Sequence, residues 1–101
     1  MEKITKERVI QALSNVYDME IGFDVVSLGL IYDVDIDENN NIHVNMTLTT
    51  PMCPLAGMMV EDATSKVREI EEAKEVKVDL IFDPPWDPSM ANEEVRRILG
   101  I

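Results

Sequence analysis

Apolar residues recur along this chain with two different periods, and the switches between them divide it into elements. Val9, Ile10, Leu13, Val16 and Tyr17 fall at helical spacing behind Thr5, a residue suited to an N-cap, and predict a first helix with one apolar stripe. Over residues 32–37 the period becomes two, with Tyr32, Val34 and Ile36 on one face and Asp33, Asp35 and Asp37 on the other, as in a strand with one wet side. Between these segments, residues 18–24 are acidic and interrupted by Gly22, and read as a loop running into a strand over residues 25–30. Residues 38–41 carry turn chemistry. Beyond them Ile42, Val44, Met46 and Leu48 alternate with His43, Asn45, Thr47 and Thr49, so the pair predicts an antiparallel hairpin. One further step of the alternation puts Thr50 on the apolar side, where a hydroxyl needs a partner.

Helical spacing returns from residue 54 to about residue 73, with Leu55, Met59, Ala63, Val67 and Ile70 down one side and Glu61, Lys66, Arg68, Glu69 and Glu71 largely elsewhere. Val76, Val78, Leu80 and Phe82 give a third alternating strand, stopped by Pro84 and Pro85. Asn92 can then cap a short helix through Leu99, with Gly100 beyond it. The order is α-β-β-α-β-α. Strand, helix, strand units in one sheet are right-handed parallel crossovers, so strands two and three should run parallel while one and two are antiparallel. The expectation is a two-layer α+β sandwich with a mixed three-stranded sheet, forming one domain over residues 1–101.

Composition narrows the functional classes. Asp and Glu outnumber Lys and Arg by 20 to 9, giving a formal net charge of -11 and a pI of about 4.3. A phosphate backbone would be repelled on average, so nucleic acid is not an expected partner. No run approaches the ~20 apolar residues of a membrane span, and the first residues lack the apolar core of a signal peptide. A soluble cytoplasmic protein with no membrane partner is expected.

Cys53 is the only cysteine. It stands between Pro51-Met52 and Pro54, where a strand hands over to a helix, and Pro54 suits the first helical position. Free N–H groups and the helix dipole would then favour its thiolate, drawing the pKa below the ~8.5 of a free thiol and making a reactive cysteine. The structural alternative is a buried cysteine that merely packs. One cysteine excludes an intrachain disulfide, a Cys-x-x-Cys pair and a zinc knuckle, so a metal site would need exogenous ligands or a second chain, as in a homodimer.

Antiparallel pairing brings the start of strand one and the end of strand two to the same edge. Asp18, Glu20 and Asp24, the hydroxyls of Thr49 and Thr50, and Cys53 can therefore converge; alternatively, Asp18 and Glu20 only cap or solvate their loop. His43 lies seven residues back from Thr50, over 20 Å along a strand at ~3.3 Å per residue, too far to serve as base for Cys53. It reads as a surface residue. No arginine follows Cys53 over residues 54–60, which sets aside a cysteine phosphatase. Of the nearby methionines, helical spacing makes Met59 core, while Met52 and Met58 are the exposed pair, suited to a partner surface. Trp86, in a stiff Pro-flanked segment, either caps the core or anchors a partner.

Three segments together resemble one family: Asp18-x-Glu20 followed by residues 24–31, then Thr49-Thr50-Pro51-Met52-Cys53-Pro54, then Phe82-Asp83-Pro84-Pro85-Trp86. They are similar to the small iron-sulfur-assembly domain shared by bacterial SufT and PaaD-type maturation factors and by a targeting subunit of the eukaryotic cytosolic machinery, also known as a domain of unknown function. The resemblance runs from about residue 5 to residue 99. It implies a fold like the C-terminal scaffold domain of NifU and a site of Asp18, Glu20, Thr50 and Cys53. Many members have Asp-Pro-Glu where this chain has Asp18-Met19-Glu20, and the NifU Cys-x-x-Cys pair is missing, so a monomer is not expected to hold a cluster stably.

The leading expectation is a non-enzymatic factor in iron-sulfur protein maturation, with Cys53 as a transient iron or cluster ligand or as a contact for a client or carrier. Its partners would be iron-sulfur assembly proteins and client apoproteins. The alternatives are a thiol enzyme with Cys53 as nucleophile and Glu20 or Asp18 as base, and a structural adaptor.

Overall fold

Thr5 caps the first helix as its sequence predicts, its hydroxyl accepting the Arg8 N–H at 3.3 Å, and α1 runs over Lys6–Leu13. The computed structural model describes residues 3–18, 21–49 and 56–100. Strands β1 (Ile31–Ile36) and β2 (Asn41–Met46) form the expected antiparallel hairpin, followed by α2 (Ala56–Arg68), β3 (Glu75–Leu80) and α3 (Glu93–Leu99). β3 lies parallel to β2, giving the mixed sheet β1-β2-β3 with β2 at its centre. α1 packs on α2 and β1, and α2 on β3. The α+β order and the mixed sheet are those predicted.

Both helices turn their stripes into one core. Val9 and Leu13 from α1, Ala63 and Val67 from α2, and Val44 and Met46 from β2 have no exposed surface. Burying such side chains contributes roughly 1.5–3 kcal/mol each. α3 starts at Asn92, whose side chain accepts the Val95 N–H at 2.8 Å, and ends at Gly100 in the left-handed conformation, matching its sequence signals.

Several boundaries differ from expectation, each for a local reason. Residues 25–30 form a turn rather than a strand, because the Asp24 carboxylate accepts the Ser27 N–H at 3.0 Å and Gly29 adopts a φ of 76°. α1 stops at Leu13, so Val16 is buried from outside the helix and Tyr17, expected in the apolar stripe, is 52% exposed. β1 ends at Ile36, which leaves Asp37 in the turn. β2 ends at Met46, and Thr47, expected on the wet face, is buried because Leu30 of the preceding turn folds against it and accepts its N–H at 2.8 Å. α2 ends at Arg68, where backbone bonds tighten from i−4 to i−3, with Ile70 N–H donating to the Val67 carbonyl. β3 ends at Leu80: its neighbour β2 stops at Met46, whose carbonyl accepts the Ile81 N–H at 2.8 Å, and Phe82 beyond it is 41% exposed. A short 3-10 helix at Pro88–Met90, capped by Asp87, was not predicted.

The hairpin turn is built by Asp37. Its carboxylate accepts the side-chain amide of Asn41 at 2.9 Å and the backbone N–H groups of Asn41 and Asn39 at 2.9 and 2.8 Å. These bonds, the Asn41 side chain first among them, hold its pKa below the ordinary aspartate value. A depressed folded-state pKa means that the unfolded chain takes up the proton first as pH falls. The stabilisation is therefore present above about pH 4 and is lost as pH drops through the folded value. Urea midpoints of wild type should fall from pH 5 to pH 2 more steeply than those of Asp37→Asn; equal slopes would show that the turn does not carry this linkage.

Candidate functional site

Residues 17 and 18 close on residues 22–24 before the hairpin begins. Tyr17 bridges to Asp24, the Asp18 N–H donates to the Phe23 carbonyl at 3.0 Å, and the Gly22 N–H returns to the Asp18 carbonyl at 2.7 Å. Asp18 is thereby drawn inside, with only 2% of its surface exposed. A buried carboxylate needs donors, and it has them: Oδ1 accepts the Ile21 N–H at 3.2 Å and Oδ2 accepts the Thr49 hydroxyl at a long 3.4 Å. Asp18 thus caps its own loop and ties that loop to the end of the β2 segment. Of the two readings of this residue, these bonds give it the loop-cap role.

A second layer fixes the following turn from the far end of the chain. Trp86 Nε1–H donates to the Leu28 carbonyl at 2.6 Å, and the Asn92 N–H donates to the Ser27 carbonyl at 2.8 Å. The Tyr32 hydroxyl donates to the Pro84 carbonyl at 2.9 Å. Gly29 lies against Met90, where a β-carbon would run into the backbone carbonyl. Residues 24–30 and 81–92 therefore hold one another at the end of the sheet where β1 starts and β3 finishes, the same end that carries Asp18 and Thr49.

Of the predicted site residues, Asp18 and Thr49 are brought together. Glu20, Thr50, Met52 and Cys53 lie outside the described residues, as does the expected helix start at Pro54. Asp24 serves the 24–30 turn instead of joining Asp18. Met58 is 63% exposed on the first turns of α2, and Met59 is buried, as expected of each. Trp86 is half-buried and packs against the core, the capping reading, with its indole N–H spent on Leu28. His43 is a partly exposed strand residue, its Nε2 within hydrogen-bond distance of the Asp79 carboxylate at 2.7 Å. Among the described residues no three of His, Cys, Asp and Glu gather as a metal would require.

Sequence reasoning missed Gly29, Tyr32 and Thr47. Thr47 is fully buried, and its hydroxyl has no hydrogen-bond partner among the described residues. The signal for Gly29 was present, a glycine inside an apolar run, which marks a close backbone approach as often as a bulge. Nothing local marks Tyr32, whose partner lies 52 residues away.

Residues 6–80 match the family described as iron-sulfur cluster assembly protein. The Fe-S protein maturation auxiliary factor YitW of Bacillus subtilis is 40% identical over 101 residues, covering 100% of this chain and 99% of that protein. A Fe-S protein maturation auxiliary factor of Porphyromonas gingivalis is 44% identical over 96 residues, 95% of this chain and 91% of the relative. A solved structure of a conserved hypothetical protein from Thermotoga maritima superposes with a TM-score of 0.89 at 53% identity, covering 100% of this chain and 99% of the other. The order of elements, the mixed sheet and a match over most of the length agree, and the chain belongs to the iron-sulfur cluster assembly protein family.

Proposed function

We propose that this protein is a cytoplasmic, non-enzymatic factor in iron-sulfur protein maturation, in which Cys53 meets iron, a cluster or a client apoprotein transiently. The observation that carries the reading is the Asp18–Thr49 contact, which joins two of the three segments of the family motif at one end of the sheet. Thr50 and Cys53 follow Thr49 directly in sequence, and Ala56 opens the described part of α2 three residues beyond Cys53. Iron or a cluster is cargo in this reading, held briefly and passed on.

The chemistry of the donors divides the roles. Asp18 is buried with both carboxylate oxygens engaged, which suits a positioning residue that sets Thr49 and the strand end, and leaves ligation to Cys53, Thr50 and Glu20. Met58, exposed on α2, belongs to the partner-facing surface in this scheme. A maturation factor that hands on cargo needs such a surface for assembly proteins and clients. The relatives named as maturation auxiliary factors support the same reading.

The test is a strain lacking the gene, grown under iron limitation and assayed for cluster-dependent dehydratases. Activity should fall several-fold with apoprotein levels unchanged, and recover with the wild-type gene but not with Cys53→Ala at equal abundance. Full rescue by Cys53→Ala would leave an adaptor without a working thiol. Unchanged dehydratase activity in the deletion strain would remove the maturation role altogether.

A further inference from the structure

We infer that the groove between the start of β1 and the segment after β3 binds a peptide segment of a partner protein that sets a Lys or Arg beside an apolar side chain. Its volume is about 710 Å³, and its lining includes Ile31, Tyr32, Ile81, Pro84 and Met90. Among the described residues, the charged groups that line it are Asp33 and Asp83, both exposed, and no Lys or Arg lines it. Phe82 and Met90, at 41% and 38% exposure, extend the apolar surface at this end of the sheet. The surface thus pairs an apolar floor with carboxylates of one sign, in a chain whose net charge is -11. The complementary occupant is apolar and cationic.

The groove is built in advance. Tyr32 is fixed by its bond to the Pro84 carbonyl and lies 3.5 Å from the Met90 sulfur, and Gly29 holds Met90 close. Walls fixed before binding reduce the ordering cost that weakens most peptide contacts. The two carboxylates differ in their commitments. Asp33 spends Oδ1 on the Val34 N–H at 3.0 Å, while Asp83 has no hydrogen bond or ion pair among the described residues. A guanidinium or ammonium meeting Asp83 displaces only water. The inference stands apart from the maturation role, since binding is read without any cluster.

The experiment uses the full chain and a fluorescein-labelled heptapeptide, Gly-Ser-Lys-Leu-Arg-Ser-Gly, with a Glu-Leu-Glu counterpart, followed by anisotropy and by amide shifts of the labelled protein. The basic peptide should bind with shifts confined to residues around Tyr32, Ile81 and Met90, and should weaken at least fivefold from 50 to 300 mM salt. Asp33→Asn with Asp83→Asn should weaken it at least fivefold; asparagine keeps an acceptor for the Val34 N–H, so the fold is retained. Glu69→Gln with Glu71→Gln removes the same charge from an exposed segment elsewhere and should leave affinity within twofold. No binding, equal binding of the acidic peptide, or equal loss in both double variants would overturn the inference. Sedimentation showing self-association through the same residues would assign the groove to a second copy instead, and overturn it as well.

Discussion

Gly29→Ala should lower stability by about 2–5 kcal/mol, among the largest effects of any single methyl group added to this protein. The left-handed backbone at a φ of 76° costs an L-residue about 1–2 kcal/mol. The new β-carbon would also lie 2.8 Å from the Met90 carbonyl carbon, with the oxygen nearer still. That neighbour is backbone, so relief requires moving the short helix at Pro88–Met90, and overpacking of this kind adds roughly 1–3 kcal/mol. For a chain of this length each kcal/mol moves the melting midpoint by about 4–8 °C, so the expected fall is at least about 8 °C. Gly22 is the internal control. Its φ is 88° but nothing among the described residues lies within 4 Å of a β-carbon there, so Gly22→Ala should show the conformational cost alone. Melting curves of the two variants that coincide would mean that the approach to Met90 contributes nothing.

The same turn shows where sequence was legible and where it was not. Local signals were read correctly at several places where the responsible partner lies within a few residues: Thr5 before α1, Asn92 and Gly100 around α3, and the Asp37-to-Asn41 turn all act on their own neighbours. Strand pairing was legible because period-two alternation on β1 and β2 fixes the register once a turn joins them. Residues 25–30 read as a strand because Val25, Val26, Leu28 and Leu30 are the residues a strand would use. What bends them is Asp24 from one side and, from 58 residues away, Trp86 on the Leu28 carbonyl. Thr47 and Phe82 were misplaced for a related reason. Each sits where a ladder ends, and the end of one strand is decided by its neighbour's length rather than by its own pattern.

Of the candidate site, the meeting of Asp18 with Thr49 was legible, and the state of the Asp18 carboxylate was not. Asp18 and Thr49 meet, as antiparallel topology demanded, but composition could not say that Asp18 would be buried with both oxygens in use. That detail changes which substitutions are informative. A carboxylate open to solvent next to a cysteine is a candidate ligand, whereas one engaged by a backbone N–H and a hydroxyl is a strut between loop and strand.

Asp18→Ala should therefore lower stability by about 2–4 kcal/mol, because it strips the acceptor from the part-buried Ile21 N–H and Thr49 hydroxyl and removes a side chain that is itself 2% exposed. Asp18→Asn keeps an amide oxygen for Ile21, and the Thr49 hydroxyl can rotate to accept from the new amide, so its loss should be about half as large or less. The two variants separate the possible roles in maturation. If Asp18 positions the strand end that leads to Thr50 and Cys53, Asp18→Asn rescues cluster-dependent enzymes in the deletion strain and Asp18→Ala does not, even when expression is raised to equal abundance. If the carboxylate itself binds iron, both variants fail alike, since a neutral amide is a poor ligand for a hard cation. Urea unfolding of the purified proteins supplies the second measurement, and a loss of rescue by Asp18→Asn without a matching loss of stability would sink the positioning role.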